Sequence, residues 1–232
     1  MSKKAMLLTI GAAAVMAIAA LPSPASAGEP VATCGAVGGV CNATIEGTGH
    51  LVIQDDSGSA SGETTCTEWT GTATANNNSS TGTISLVLKG CKSNGFSCNT
   101  IGAATGEIKT GTLTTHLIYL HPIEGGATTD VGILITNVSI TKSCAGGLVK
   151  KTITGNLIGR ETNPNCGSSA VSHTVVFEQL AAGQQKYKQI TTTGTLFDLT
   201  SGSDGASDTT TTSLAGEGHF NWSAGQSVTT DC

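Results

Sequence analysis

The sequence predicts an all-β protein, an antiparallel sandwich or up-and-down β-barrel of about nine to ten strands, stabilised by disulfides. Three observations carry that expectation. Between residues 107 and 159, three long runs rich in Thr, Val, Ile and Leu are separated by Gly125-Gly126 and Gly146-Gly147, whose backbone freedom suits tight reversals. In the first run Leu113, Thr115, Leu117 and Tyr119 interleave with Thr114, His116, Ile118 and Leu120, the period of two that a pleated strand requires. Second, Thr occurs 36 times after residue 27 and Gly 31 times in the whole chain, and no long apolar run of helical period follows residue 27. Third, all eight cysteines lie beyond residue 27.

The position of the cysteines matters because residues 1–27 read as a secretory signal peptide. Lys3 and Lys4 form a charged start, residues 5–21 are apolar and Ala-rich, Pro22 and Pro24 break any helix, and Ala25-Ser26-Ala27 is a small-residue cleavage site. A transmembrane anchor would need a longer uninterrupted apolar stretch. The expected mature chain is therefore one β domain, residues 28–232, free in the medium or held non-covalently at the cell surface. A lipid anchor would need a cysteine directly after the apolar region, and Cys34, preceded by Thr33, lies too far along.

Loss of Lys3 and Lys4 takes the net charge from −5 to −7. Nucleic acids and anionic membranes are recognised by clustered Lys and Arg, and the only such pair in sequence is Lys150-Lys151, so neither is expected as a partner. No membrane span is expected after residue 27 either.

Aromatic residues make up 3% of the chain, so the core must be aliphatic and lined with Thr. Disulfides compensate for such a core, at roughly 2–4 kcal/mol each. No C-x-x-C pair points to a metal instead. Eight cysteines admit about 105 connectivities. The working assignment pairs Cys34 with Cys41, Cys91 with Cys98, Cys144 with Cys166, and Cys66 with Cys232.

In chain order, residues 28–45 read as an irregular Cys- and Gly-rich lead-in. Strands follow at 46–54, 64–74 and 81–89, each bounded by Gly, Asn, Asp or Ser. Residues 90–105 read as a disulfide-rich loop, followed by the three long strands already described. Further strands are expected at 171–181, 187–199 and 211–222, with 200–210 a polar loop.

Candidate chemistry is sparse. His116 and His121 are five apart, so on one strand they face opposite ways and cannot share a metal; His50, His173 and His219 are isolated. Asp198, Asp204 and Asp208 offer oxygen ligands for calcium, the one cofactor considered, but lack the spacing of a calcium hand, and a solvated turn is the preferred reading. Neither G-x-S-x-G nor H-E-x-x-H occurs. Glycosidase carboxylates pair in space rather than in sequence, leaving Glu107, Glu124, Glu161, Glu178 and Glu217 as candidates by residue type alone. Trp69, Trp222, Tyr119, Tyr187 and Phe220 are expected to be core rather than a carbohydrate platform.

The strings ISLVLKGCK, GAATGEIKTGTLTTHLIYL, VGILITN and SCAGGLVKKTITGNLIG, covering residues 85–159, resemble a group of uncharacterised secreted β-rich proteins of high-GC Gram-positive bacteria. The resemblance implies secretion and an all-β fold, and carries no activity. The leading expectation is a secreted, disulfide-bonded protein acting by binding or as a cell-envelope component without catalysis. The alternatives are a barrel carrying a small apolar ligand and a glycan-active enzyme. Leu113, Leu117, Tyr119, Val131, Ile133, Ile135, Ile153, Leu157, Val175 and Phe177 discriminate, since they either interdigitate as a core or line a cavity.

Overall fold

The structure is a computed structural model that describes residues 29–35, 39–55, 63–122, 130–163, 167–180, 184–189, 199–203 and 209–231. Residues 1–28, Glu124, Asp198, Asp204, Asp208, Cys166 and Cys232 lie outside the described residues, as do the side chains of His50 and His121. The strands in chain order are β1 (Val31–Cys34), β2 (Val40–Asp55), β3 (Glu63–Asn76), β4 (Thr81–Lys89), β5 (Lys92–Ser93), β6 (Phe96–Thr100), β7 (Ile108–Pro122) and β8 (Val131–Cys144). After a short 3-10 turn at Ala145–Gly147 come β9 (Val149–Asn163), β10 (Ser169–Ala170), β11 (Ser172–Phe177), β12 (Tyr187–Gln189), β13 (Leu199–Ser203), β14 (Thr209–Trp222) and β15 (Val228–Asp231).

An eight-stranded antiparallel barrel closes in two tiers. In one tier the wall runs β2-β3-β4-β7-β8-β9-β11-β14 and back to β2. In the other, β3 and β8 outrun β4 and β7, and the β5–β6 hairpin fills the gap through Thr65↔Lys92 and Cys98↔Cys144. On the opposite wall β13 takes the place of β11 between β9 and β14. Both tiers thus count eight strands, which leaves an interior just wide enough for side chains to fill. The expected choice between sandwich and barrel resolves to the barrel.

The tiers meet at register shifts in β2, β4, β8 and β14, where Asn137 takes a left-handed φ of 58°. Trp69 occupies this level. It stands across from Gly47, which in turn faces Gly218, so three neighbouring inward positions hold one indole and two hydrogens. A Cβ at Gly47 would lie 1.7 Å from Trp69 Nε1, and one at Gly218 would lie 2.2 Å from Cη2, so only glycine fits at either place. Phe177 meets Trp69 edge-on at 6.1 Å. Together they plug the middle of the barrel, and Ile45, Ile84, Ile135, Ile153 and Leu157 pack around them.

The apolar run Ile133-Leu134-Ile135 departs from strict alternation for a reason outside the barrel. Leu134, Ile118, Leu120 and Ile158 point outward but are buried under Tyr187 of β12, which pairs along β7. Beside them the buried Gln185 accepts from the Ile158 N–H at 2.7 Å and donates to the Asn156 carbonyl at 3.0 Å, serving β9 as a neighbouring strand would.

The disulfides correct the expected pairing. Cys34 joins Cys41 as assigned, but Cys66 joins Cys91 and Cys98 joins Cys144. Cys91–Cys98, Cys144–Cys166 and Cys66–Cys232 are therefore not formed. The reason is topological: the β5–β6 hairpin bridges β3 and β8, so each hairpin cysteine meets the strand it lies against rather than its neighbour in sequence. The expected loops also hold strands. The lead-in contains β1 and the start of β2, residues 90–105 contain β5 and β6, and β13 and the start of β14 fall within 200–210. β10 and β15 lack a sequence counterpart, being short and polar.

Candidate functional site

β1, β15 and β10 form a separate antiparallel sheet at the end of the barrel where β2 begins and β14 ends. This cap is tied down by Cys34–Cys41 and by the Ala32 N–H, which donates to the Ser79 carbonyl in the β3–β4 turn at 2.9 Å. Its inner face presents Ala32 and Val228 to the barrel, where they pack with Leu117 and Trp222.

Beneath the cap lies a cavity of about 60 Å³. A water in the liquid takes about 30 Å³, so the space would hold about two waters, or one organic molecule of a few heavy atoms. It exists because one wall is short of side chains. The inward positions of β4 read Gly82, Ile84, Leu86 and Leu88, and those of β3 beside Gly82 and Ile84 are Ala75 and Ala73. At this end the wall carries only methyl groups and a hydrogen. Facing it are Leu117, Ile133, Val175, Phe220 and Trp222, a largely apolar surface.

The main polar exception is a buried carboxyl–imidazole pair. Glu161 on β9 and His173 on β11 line the cavity with side chains each 6% exposed, and His173 Nδ1 contacts Glu161 Oε1 directly. His173 Nε2 lies 3.0 Å from the Val228 carbonyl; a carbonyl only accepts, so Nε2 carries a proton. Thr230 Oγ1 donates to Glu161 Oε2 at 3.2 Å. Both cap contacts come from β15, so the pair latches the cap to two barrel strands. Trp222 meets the imidazole edge-on at 5.8 Å.

The other candidates are dispersed. His116 lies at the cavity rim, on the outward register of β7 opposite Thr81. His219 is a surface residue, within 3.1 Å of Thr174 Oγ1 and 3.5 Å of Glu217. Glu107 pairs with Lys109 at 3.3 Å. Trp69, Tyr187 and Phe220 are buried, as expected of core aromatics. Among the described residues no group of three His, Cys, Asp or Glu side chains is arranged to hold a metal ion.

Glu178 belongs to an outer cluster. It accepts from Lys186 at 2.6 Å, Tyr187 at 2.5 Å and Arg160 at 3.2 Å. Partial burial alone would raise the Glu178 carboxyl, but the hydrogen bonds from Lys186 and Tyr187 and the charges of Lys186 and Arg160 outweigh it and bring the carboxyl below its ordinary range. Arg160 and Glu161 are successive strand residues and face opposite ways, so Glu178 outside and Glu161 inside do not converge on one substrate.

Sequence reasoning treated Glu161 and His173 separately, and the signal that joins them is parity. Both fall on inward positions of their strands, where Val175 opposite Glu161 and Phe220 opposite His173 are apolar. A charged residue at such a position needs a partner. Among the described residues no helix is long and apolar enough to cross a membrane. No protein-family profile, curated protein or solved structure matches the chain.

Proposed function

We propose that this chain is a secreted, non-catalytic binding protein that takes one small, mostly apolar molecule into the capped end of its barrel. The observation that carries the reading is the contrast within the interior. The middle is plugged by Trp69 and Phe177, while Ala73, Ala75 and Gly82 open an apolar-walled space at the capped end. Its size favours a molecule of a few heavy atoms over the long lipids that wide, empty barrels enclose. Secretion is supported by the leader-like residues 1–27 and by three disulfides, which persist in oxidising compartments.

The test is a tryptophan-fluorescence titration of residues 28–232 with small aliphatic and aromatic alcohols and ketones, since Trp222 lines the space. Saturation at one equivalent is expected, and Ala73→Leu, which puts a larger side chain into the cavity, is expected to abolish it without unfolding the barrel. Linear, unsaturable quenching by every probe up to its solubility, or equal binding by Ala73→Leu, would overturn the reading.

A further inference from the structure

The end of the barrel away from the cap exposes apolar side chains in one place. Six large hydrophobic residues stand out into solvent among the described residues, and three belong to the two hairpins that meet there: Phe96 (59% exposed), Leu148 (88%) and Val149 (49%). Register brings the hairpins together. Phe96 follows the β5–β6 turn, Cys98 pairs with Cys144, and Cys144 pairs in turn with Val149, so the β5–β6 tip lies beside the turn that carries Leu148.

The two hairpins themselves are free of acidic residues, although Glu63 of β3 stands two positions from Thr65, the strand partner of Lys92. Residues 28–232 hold 9 Lys and Arg against 16 Asp and Glu, yet residues 90–106 and 131–160 contain no acidic residue. Lys92 stands opposite Ser97 next to Phe96, and Lys150 follows Val149; both are exposed. The sequence argument against anionic membranes rested on the lack of a basic cluster; folding places Lys92 on β5 and Lys150 on β9 at the same end of the barrel, with β6 and β8 between them. The Cys66–Cys91 and Cys98–Cys144 disulfides pin the hairpin at both sides, so the apolar tip projects from a rigid frame.

From this juxtaposition we propose that the β5–β6 and β8–β9 turns dock the protein onto an anionic lipid bilayer. Phe96 and Leu148 enter the boundary between headgroups and acyl chains, while Lys92 and Lys150 face the anionic headgroups. Protruding apolar side chains need an apolar phase that can receive them, which a bilayer supplies and a dissolved polyanion does not. A second copy of this chain fits less well, because a two-fold contact would set lysines against lysines. The surface is separate from the ligand cavity and does not depend on it.

The test is co-sedimentation of residues 28–232 with vesicles of phosphatidylcholine alone and of phosphatidylcholine mixed with phosphatidylglycerol. Binding to the mixed vesicles is expected, weakening as salt is raised. Phe96→Ser with Leu148→Ser is expected to cut the partition coefficient by about tenfold or more. Lys92→Glu with Lys150→Glu is expected to erase the preference for phosphatidylglycerol. All four positions are exposed, so unchanged circular dichroism should accompany both variants. Failure to sediment with the mixed vesicles, or equal sedimentation of wild type and variants, would overturn the proposal. A concentration-dependent dimer in analytical ultracentrifugation that Phe96→Ser with Leu148→Ser dissolves would overturn it too, by assigning the tip to a second copy.

Discussion

The two ends of this barrel are closed by different means. At the end carrying the β5–β6 hairpin, two disulfides join the hairpin to β3 and β8, and the interior is filled; Lys142 is buried there, its Nζ donating to Thr64 Oγ1 at 2.7 Å. At the other end one disulfide among the described residues, Cys34–Cys41, spans seven residues, beside backbone pairing, Val228 packing and the Glu161–His173 latch. Among the described residues, then, the hairpin end carries two long-range disulfides over buried side chains, and the capped end carries one short-range disulfide over a cavity.

The comparison can be broken most directly at the latch. His173→Leu strands the Glu161 carboxylate in an apolar cavity, and breaking a buried pair in this way costs about 3–5 kcal/mol. Urea unfolding should show that loss, and limited proteolysis should cut first near β15. A variant as stable as wild type would mean that the pair does not secure the cap.

Removing the disulfides separates the ends next. Loop-closure entropy predicts roughly 4 kcal/mol for Cys98→Ala with Cys144→Ala, which opens a 46-residue loop, against roughly 2 kcal/mol for Cys34→Ala with Cys41→Ala. Thermal melts of the two double variants should rank in that order, and a reversed order would contradict the contrast. Non-reducing peptide mapping checks the pairing itself and should recover Cys34–Cys41, Cys66–Cys91 and Cys98–Cys144.

A smaller effect is expected where the tiers meet. Gly218→Ala would press a methyl against Trp69, and overpacking of this kind costs about 1–3 kcal/mol. Differential scanning calorimetry should register a lower Tm, with the Trp69 near-ultraviolet signal altered; an unchanged Tm would show that the indole can move aside.

The smallest effect concerns pH. The folded state holds the Glu178 carboxyl below the ordinary glutamate value of about 4.5, so the unfolded chain binds that proton more readily. The stability it contributes is present above about pH 4.5 and is lost as pH falls through the lower folded value. Glu178→Gln should flatten the acid limb of a stability–pH curve without reaching the capped cavity. An unchanged acid limb would show that the outer cluster contributes nothing measurable.

The long strands were legible because alternation survives wherever one face is wet. β4 matches residues 81–89 to the residue, and β7, β8 and β9 fall where Gly-bounded runs place them. Legibility failed for short polar strands such as β10 and β15, which carry almost no apolar signal and exist only because a neighbour offers its edge. Of the ten residues that could have packed or lined a cavity, Ile135, Ile153, Leu157 and Phe177 pack in the interior, while Leu117, Ile133 and Val175 line the space. Their types do not distinguish the two fates, because what divides them is the size of the residues on the opposite wall.

From its sequence alone this chain was determined to be all-β, antiparallel and rich in cysteine, since backbone propensity and side-chain period are local properties. Tertiary structure alone decided which cysteines meet, where the barrel is hollow and which charges share a site. The β5–β6 hairpin is carried to β3 and β8, and Glu161 to His173, by pairings between strands remote in sequence. The local pattern along each strand specifies which face turns inward, but not which strand will stand opposite.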